Sequence, residues 1–176
     1  TVTFPAFAPV ITFGNKYPLD KLITPYLPRF CQVAMVSYHY AKQMKESERP
    51  AIPLMVDSGG FAALFKNSEI IEYDGIAKIQ VDTDDGIEKI CPSSVLDFQE
   101  KMADIAFTLD FPIPPSLDQN ESQRRQRLTI QNALWALDNR RRRDLPLYAC
   151  IQAWDRKSAA ACAQGGFANR TSFNLG

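Results

Sequence analysis

Four short apolar runs, each ending at a polar residue, divide the chain. They occupy residues 32–36, 52–56, 105–109 and 145–151. Apolar runs of this length are typical of strands in a parallel sheet that is covered on both faces. Segments with apolar residues at helical spacing lie between the later runs. Strands that alternate with helices indicate βαβ units and therefore an α/β fold.

Helices are predicted at residues 92–103, 120–139 and 155–164. The first segment opens with Pro-Ser-Ser, which is a helix N-terminal signal, and carries apolar residues at helical spacing. The second segment has one apolar face flanked by arginines, and the third is short and rich in alanine. These three segments supply the helical half of the expected βαβ units.

The stretch 69–88 has a different pattern. Two β-type segments, 70–73 and 77–81, flank Asp74-Gly75. An Asp-Gly pair between such segments is a strong signal for a tight hairpin turn. We therefore expect an antiparallel hairpin inserted after the second strand.

The strand–helix alternation favours a TIM-type (β/α)8 barrel, of which this chain supplies the first half. A complete barrel takes about 250 residues, and these 176 residues hold only about half of the required units. We expect residues 1–176 to form a single domain that is the N-terminal portion of such a barrel. The C-terminal half is expected to be absent from this sequence.

The composition is that of an ordinary globular protein, with 45% hydrophobic and 23% charged residues. No apolar run approaches the roughly 18 residues of a membrane-spanning helix, and no signal-peptide pattern is evident. We therefore expect a cytoplasmic protein without a membrane partner. Four widely separated cysteines fit no metal-ligand spacing, so reduced thiols and no metal or other cofactor are expected in this chain.

The charge pattern is balanced overall but clustered locally. A net charge of zero argues against binding a polyanion through bulk charge alone. Arginines nevertheless gather at 124–127 and 140–143. We interpret them mainly as a solvated helix face, with the second group complementing a helix C-terminus. Contact with phosphates is the alternative.

The polar residues that end the predicted strands form the candidate site. In α/β barrels, functional side chains gather at the C-terminal strand ends. Those ends carry Ser37, Asp57, Asp110 and Gln152. Two glycines follow Asp57 closely, and they let the backbone approach a ligand and direct N–H groups at it. A tight turn with Asp57 as an N-cap is an equally good explanation of the same residues.

Asp110 and Gln152 have groups that suit a purine. The proline-rich segment after Asp110 offers few backbone donors, and a desolvated carboxylate needs donors from elsewhere. A guanine-like base supplies them through N1–H and its exocyclic amine. The amide of Gln152 can donate to a base carbonyl and accept from a ring N–H. The alternatives are a solvated loop aspartate and an ordinary polar strand end.

Together these segments resemble the tRNA-guanine transglycosylase family. Residues 56–61, V-D-S-G-G-F, look like the family's T-D-S-G-G-F/Y motif, and 109–115, L-D-F-P-I-P-P, are similar to the archaeal L-D-x-P-x-P-P form. Ile151-Gln152 matches V-Q-G, with Ala153 in place of the glycine. Ser37-Tyr38-His39 resembles N-T-Y-H, with Val36 in place of the asparagine. Order and approximate spacing agree over residues 4–176.

The resemblance implies a pentosyltransferase that exchanges guanine for a 7-deazaguanine base in tRNA, as in queuosine and archaeosine formation. The reaction passes through a covalent aspartyl–sugar intermediate, in the manner of a retaining glycosidase. Asp57 would be the catalytic acid/base, and Asp110 would accept the N1–H and amine of the base. Gln152 would contact the base carbonyl side and Phe61 would stack on the base. The remaining residues implied to line the base pocket are Ser37, Ser58, Gly59, Gly60 and Gly176.

The departures from the family pattern leave alternatives open. In the family, the nucleophilic aspartate and a structural zinc site lie beyond the matched segment. Neither is expected in this chain, which alone should not complete the exchange. The changes at Val36 and Ala153 suit a divergent relative that makes the same exchange in DNA. A non-catalytic transglycosylase-like subunit is a third hypothesis, although the presence of both Asp57 and Asp110 favours an enzyme. The expected partners are tRNA, or DNA, and the 7-deazaguanine base, with a homodimer as one arrangement open to the chain.

Overall fold

The computed structural model describes residues 3, 5–13 and 18–167, without the side chains of 21 and 165–167. The α-helices in this part are α1 (Pro18–Ile23), α2 (Leu27–Phe30), α3 (Tyr38–Ala41), α4 (Pro92–Met102), α5 (Gln119–Asn139) and α6 (Arg156–Phe167). The strands are β1 (Ala34–Ser37), β2 (Leu54–Asp57), β3 (Ser68–Tyr73), β4 (Ile76–Thr83), β5 (Gly86–Ile90), β6 (Ile105–Phe107) and β7 (Leu147–Tyr148). Short 3-10 turns cover Thr24–Tyr26, Glu46–Glu48 and Gly60–Leu64.

Four strands form a parallel sheet in the order β1-β2-β6-β7. The prediction of an α/β fold with a parallel sheet is therefore confirmed. The strands are shorter than the apolar runs that predicted them, and the run 145–151 contributes only the two residues of β7. In the described residues β1 and β7 are the edge strands, and the outer side of β1 is met only by a short parallel bridge between Val10 and Met35, so the structure does not show a TIM barrel. Closure would require further strands to pair with both edges.

The two faces of the parallel sheet are buried to different extents. One face contributes Ala34, Val36, Leu54, Val56, Ala106 and Leu147 to a core that also includes Ala103 and Ala136. Seven of these eight residues are at most 2% exposed, because α4 contacts β2 and α5 contributes Ala136 on that side. The opposite face carries Met35, Phe107 and Tyr148, which remain half-buried. The rings of Phe107 and Tyr148 stack at 5.7 Å. The expected cover on both faces is thus complete on only one of them in the described residues.

The insertion after β2 is a separate three-stranded antiparallel sheet, β3-β4-β5. Asp74 and Gly75 have φ of 48° and 79°, and two positive φ angles are what a type I′ hairpin turn requires. The predicted hairpin is confirmed. The third strand, β5, was not predicted, because its five residues include two charged side chains and are largely exposed.

The antiparallel sheet packs against α4 and α5 through a second apolar core. Its buried members include Ile79, Val81, Ile90, Val95 and Leu128. Asn132 of α5 is fully buried beside this core. Its Oδ1 accepts from the Ala77 backbone N–H at 2.9 Å, and its Nδ2 donates to the carbonyls of Ala77 and Leu109 at 3.0 and 3.3 Å. One amide therefore joins α5 to β4 and to the segment that leaves β6.

Each predicted end of α4, α5 and α6 lies within three residues of the observed end, and the largest difference is at the end of α6. Asp118 caps α5 by accepting from the Glu121 backbone N–H at 2.9 Å. Pro92 begins α4, as its N-terminal signal predicted. Asp155 precedes α6 and accepts from the Ser158 backbone N–H at 2.6 Å. Local capping chemistry thus agrees with the helix starts, which hydrophobic spacing alone leaves uncertain by a residue or more.

The clustered arginines bind to the protein itself. Arg124 and Arg125 donate to the carbonyls of Ile70 and Pro112 at 2.9 and 2.8 Å, and Arg127 pairs with Glu72. The arginines after α5 contact the C-terminal end of α4, where Arg142 donates to the carbonyls of Glu100 and Ala103. Buried Glu100 in turn accepts from the backbone N–H groups of Arg141 and Arg142. The helix C-terminus that these cations complement is thus that of α4, with Arg143 near the end of α5.

The cysteines Cys31, Cys91, Cys150 and Cys162 are free thiols. Burial, followed by the negative charges of Asp110 and Asp57, raises the pKa of Cys150 far above its ordinary value, so this thiol stays protonated. In the part of the chain that the structure describes, no helix has both the length and the apolar character to cross a bilayer.

Candidate base-binding site

The residues predicted for the site converge at the carboxyl end of the parallel sheet. Ser37 and Asp57 end adjacent strands and are register partners between β1 and β2. Asp110 follows β6 by three residues, and Gln152 follows β7 by four. Since all four strands run in one direction, these exits share one edge of the sheet.

Asp110 is the buried centre of the group, with 8% of its surface exposed. Its Oδ1 accepts from the Ser58 hydroxyl at 2.9 Å, and its Oδ2 accepts from the Gln152 amide at 2.6 Å. The segments that follow β2, β6 and β7 are therefore tied together by one carboxylate. These two donors supply the hydrogen bonds that a desolvated aspartate needs.

Burial raises the pKa of Asp110 above its ordinary value, and the negative charge of Asp57 raises it further. The hydrogen bonds from Ser58 and Gln152 lower the pKa, but they do not outweigh burial. A raised pKa caused by burial together with a nearby charge is common at functional sites. Asp57 is thus close enough to Asp110 for its charge to act on that carboxyl.

The two glycines after Ser58 allow the chain to fit beside Asp110. A Cβ on Gly60 would lie 2.2 Å from the Asp110 carbonyl oxygen and 2.6 Å from its Oδ1. Only glycine can be placed there without moving one of the two segments. Gly59 has φ of +80° and lies against His39, where a Cβ would be 3.1 Å from the His39 backbone nitrogen. The Ser-Gly-Gly sequence therefore has a packing reason in addition to any role toward a ligand.

Asp57 is half-buried and accepts from the Gly59 backbone N–H through Oδ2 at 3.1 Å. This contact is that of the tight turn that the alternative interpretation of Asp57 predicted. The N-cap of the following 3-10 turn is Gly59, however, so the prediction of Asp57 as an N-cap was wrong. The same residue lies close enough to influence the pKa of Asp110. The turn and a place in the candidate site are therefore compatible, because the turn uses Oδ2 alone.

Phe61 and Ser37 lie at the margin of the group. Phe61 is 66% exposed, and its ring meets that of Phe65 edge-on at 6.1 Å. An exposed ring next to a polar site is available for stacking on a planar ligand. Ser37 Oγ would be 3.5 Å from a Cβ on Gly59, so it lies directly beside the turn.

Gln152 is held at both ends of its side-chain amide. Its Nε2 donates to Asp110, and its Oε1 accepts from the Ile113 backbone N–H at 3.3 Å. Its backbone carbonyl accepts from Gln126 of α5 at 2.6 Å. The structure thus places Gln152 in the predicted group, but its amide is occupied by the protein.

Two further features escaped the sequence prediction. Gln126 supports Gln152 from α5, and its role rests on a contact across 26 residues that no local motif signals. His39 bonds to Glu88 of β5 at 3.1 Å, and Lys42 pairs with the same carboxylate. Since β5 was not predicted, neither was this link between the first strand exit and the hairpin sheet.

One predicted site residue lies beyond what the structure describes. Gly176 is outside the described residues, so its predicted place in the pocket stays a prediction. Among the residues that are described, no group of three or more histidine, cysteine, aspartate or glutamate side chains could hold a metal ion.

Comparison with known proteins adds no identification. No family model matches the chain, and no curated protein matches it. The site itself offers three features for binding a ligand: a buried carboxylate that can accept from paired donors, a second carboxylate near it, and an exposed aromatic ring at its margin.

Proposed function

We propose that the chain is the base-recognising part of a transglycosylase that exchanges guanine for a 7-deazaguanine base in tRNA. The observation that carries the proposal is the convergence of Ser58 and Gln152, from the exits of two other strands, on the buried carboxylate of Asp110, with Asp57 directly before Ser58. The finer fold assignment goes with it: the four-stranded parallel sheet would be the first half of a (β/α)8 barrel. The half-buried face with Met35 and Phe107 would then point to the barrel interior.

Asp110 would bind the edge of the base. A carboxylate has roughly four acceptor positions, and Ser58 and Gln152 occupy one position on each oxygen. The N1–H and the exocyclic amine of a guanine-like base present two parallel donors at the spacing of one carboxylate. A charge-assisted pair of this kind is about twice as strong as a neutral one. The burial of Asp110 strengthens the interaction, since water does not compete for its oxygens.

Asp57 would act as the acid/base beside the glycosidic bond. Its Oδ2 stabilises the turn at Gly59, and the neighbouring Asp110 makes the surroundings negative. A negative site favours the oxocarbenium-like transition state of base exchange. Phe61 would stack on the base, and Ser37 with the backbone at Ser58, Gly59 and Gly60 would line the pocket.

The resemblance implies a nucleophile and a zinc site, and we assign neither of them to a residue of this chain. The proposal for this chain is therefore tested by binding, not by turnover. Asp57 and Asp110 are both retained, which favours the enzyme over a non-catalytic subunit. The changes at Val36 and Ala153 are the observation that supports DNA as the alternative polynucleotide.

The test is calorimetric titration of the chain with 7-deazaguanine, guanine and 1-methylguanine. Guanine and 7-deazaguanine should bind, whereas 1-methylguanine should not, because methylation removes the N1–H donor. Asp110→Asn should weaken binding by roughly 10- to 100-fold, since it replaces a charge-assisted acceptor worth about 1.5–3 kcal/mol. Asp85→Asn, at an exposed aspartate between β4 and β5, is the matched control and should bind like the wild type.

Equal affinity of the wild type and Asp110→Asn for 7-deazaguanine would exclude Asp110 as the base ligand. Tight binding of 1-methylguanine would exclude the proposed donor pattern. The polynucleotide is then identified by incubating the full-length protein with labelled 7-deazaguanine and either tRNA or duplex DNA, and by measuring the label incorporated into each. Incorporation into DNA alone would replace the tRNA proposal with its alternative.

A further inference from the structure

A groove of about 440 Å³ lies between the first half of α5 and the segment that leads into α6. This volume falls in the range of small-molecule sites. Its lining residues are Gln119, Gln123 and Gln126 of α5, Trp154 and Asp155 before α6, and Lys157, Ser158 and Ala161 of α6. The carboxylate of Asp155 accepts from the Ser158 backbone N–H at 2.6 Å, so it is engaged at the start of α6.

The groove combines amide groups with one aromatic face. Gln119, Gln123 and Gln126 are spaced four and three residues apart and therefore share one side of α5. Each amide offers a donor and an acceptor in one plane. Trp154 is 39% exposed and presents part of its indole to the groove. A flat ring beside planar donor–acceptor groups suits a nucleobase, which stacks by its face and hydrogen-bonds by its edge.

The groove is adjacent to the candidate base-binding site. Gln126 donates from Nε2 to the carbonyl of Gln152 at 2.6 Å and to that of Ser158 at 3.1 Å. The side chain of Gln152 in turn contacts Asp110. One residue therefore separates the groove from the buried carboxylate. A polynucleotide with one base in the candidate site would bring its neighbouring nucleotides to this part of the surface.

We propose that this groove binds the base of an unpaired nucleotide next to the one whose base is exchanged. The base stacks on Trp154 and is hydrogen-bonded by Gln119 and Gln123, and Lys157 contacts the adjoining phosphate. Gln126 is a positioning residue, because its amide nitrogen donates across the groove to the backbone carbonyls of Gln152 and Ser158. The inference rests on the proposed function, since the exchanged base places the neighbouring nucleotide here.

The experiment uses the fluorescence of Trp154. The chain has two tryptophans, so Trp135→Phe leaves Trp154 as the single tryptophan, which is excited selectively over the tyrosines. A single-stranded RNA of about ten nucleotides should quench this fluorescence saturably. In a separate anisotropy titration with labelled RNA, Trp154→Ala should weaken binding by roughly 5- to 100-fold, the range found for loss of one base stack. Gln123→Ala should weaken binding as well, whereas Gln131→Ala, on the same helix outside the groove, should not.

The outcomes separate this inference from the proposed function. Trp154→Ala should keep its calorimetric affinity for 7-deazaguanine, because Trp154 does not contact Asp110. RNA affinity that is unchanged in Trp154→Ala, while 7-deazaguanine still binds, overturns the groove assignment alone. A wild-type chain that does not bind 7-deazaguanine overturns the proposed function, and the Trp154 titration still decides whether the groove binds RNA. Saturable quenching by an oligosaccharide and not by RNA would identify the groove as a carbohydrate site and overturn the inference.

Discussion

Replacing Gly60 by alanine tests the geometry of the candidate site most directly. The added Cβ would lie 2.2 Å from the Asp110 carbonyl oxygen and 2.6 Å from its Oδ1. The nearer atom belongs to the backbone, so a side-chain rotation cannot relieve the contact. The segment after β2 or the segment after β6 must move, and overpacking of this kind costs about 1–3 kcal/mol.

The matched control is Gly75→Ala in the hairpin turn. Gly75 has φ of +79°, and a Cβ there would meet nothing within 4 Å. This variant should lose about 1–2 kcal/mol through backbone strain alone. The two variants thus lose similar stability by different causes, and only Gly60→Ala displaces Asp110.

Urea unfolding and calorimetric titration with 7-deazaguanine distinguish the two variants. Gly60→Ala should lose both stability and base affinity, the latter by roughly 10- to 100-fold if one charge-assisted hydrogen bond is lost. Gly75→Ala should lose stability and keep its base affinity. Wild-type stability in Gly60→Ala would refute the close approach of the two segments, whatever ligand the site binds. Reduced stability with unchanged base affinity would show that the position of Asp110 does not matter for the base.

Three further predictions concern buried polar groups. Asp110 has a raised pKa in the folded state, so the folded state binds more protons than the unfolded state. The free energy of unfolding should therefore fall as pH rises from about 3.9 through the raised pKa. Urea unfolding of Asp110→Asn at several pH values in this range should not show this fall. Asn132→Ala should lose about 2–4 kcal/mol in urea unfolding by leaving buried backbone groups unpaired, whereas Asn139→Ala, at an exposed helix end, should change stability by less than about 0.5 kcal/mol. Burial would raise the pKa of Glu100, but hydrogen bonds from Arg142 and Arg141 hold it below its ordinary value, so the stabilisation is present above about pH 4.3 and is lost as pH falls. Glu100→Gln should lower the free energy of unfolding by about 1–3 kcal/mol at pH 7 and reduce its further fall in acid. An equally steep fall in acid in Glu100→Gln would contradict the assignment.

The elements that the sequence predicted well are those determined by local physics. The apolar runs located the parallel strands, since burial of consecutive apolar side chains needs no distant partner to be recognised. Asp74-Gly75 located the hairpin, because two positive φ angles are a local requirement. The site residues could be grouped because parallel strands bring their carboxyl ends to one edge. The assignment to the first half of a barrel is confirmed only as far as the parallel sheet, and the barrel itself stays a prediction, since closure depends on strands beyond the four that are described.

The elements that sequence analysis missed depend on distant contacts. Gln99 lies on α4 among apolar residues and is 1% exposed, with its amide donating to the carbonyls of Val56 and Phe107. A helical pattern alone would place a glutamine on the solvent side. The link from Gln126 to Gln152 likewise depends on how α5 packs against the exit of β7. Such amides join strand ends that are far apart in sequence, so only the folded chain reveals them.

The arrangement around Asp110 also limits how a base can bind. Gln152 already uses both ends of its side-chain amide, on Asp110 and on Ile113. The Nε2 group has two hydrogens, however, and Asp110 accepts only one of them. The second hydrogen can donate to a base carbonyl while the first stays on Asp110. A base that donates to Asp110 and accepts from this second hydrogen would then contact both residues at once. Base recognition by Asp110 and by Gln152 is therefore simultaneous in structural terms, because the carboxylate holds the amide in the position from which it can donate to the base.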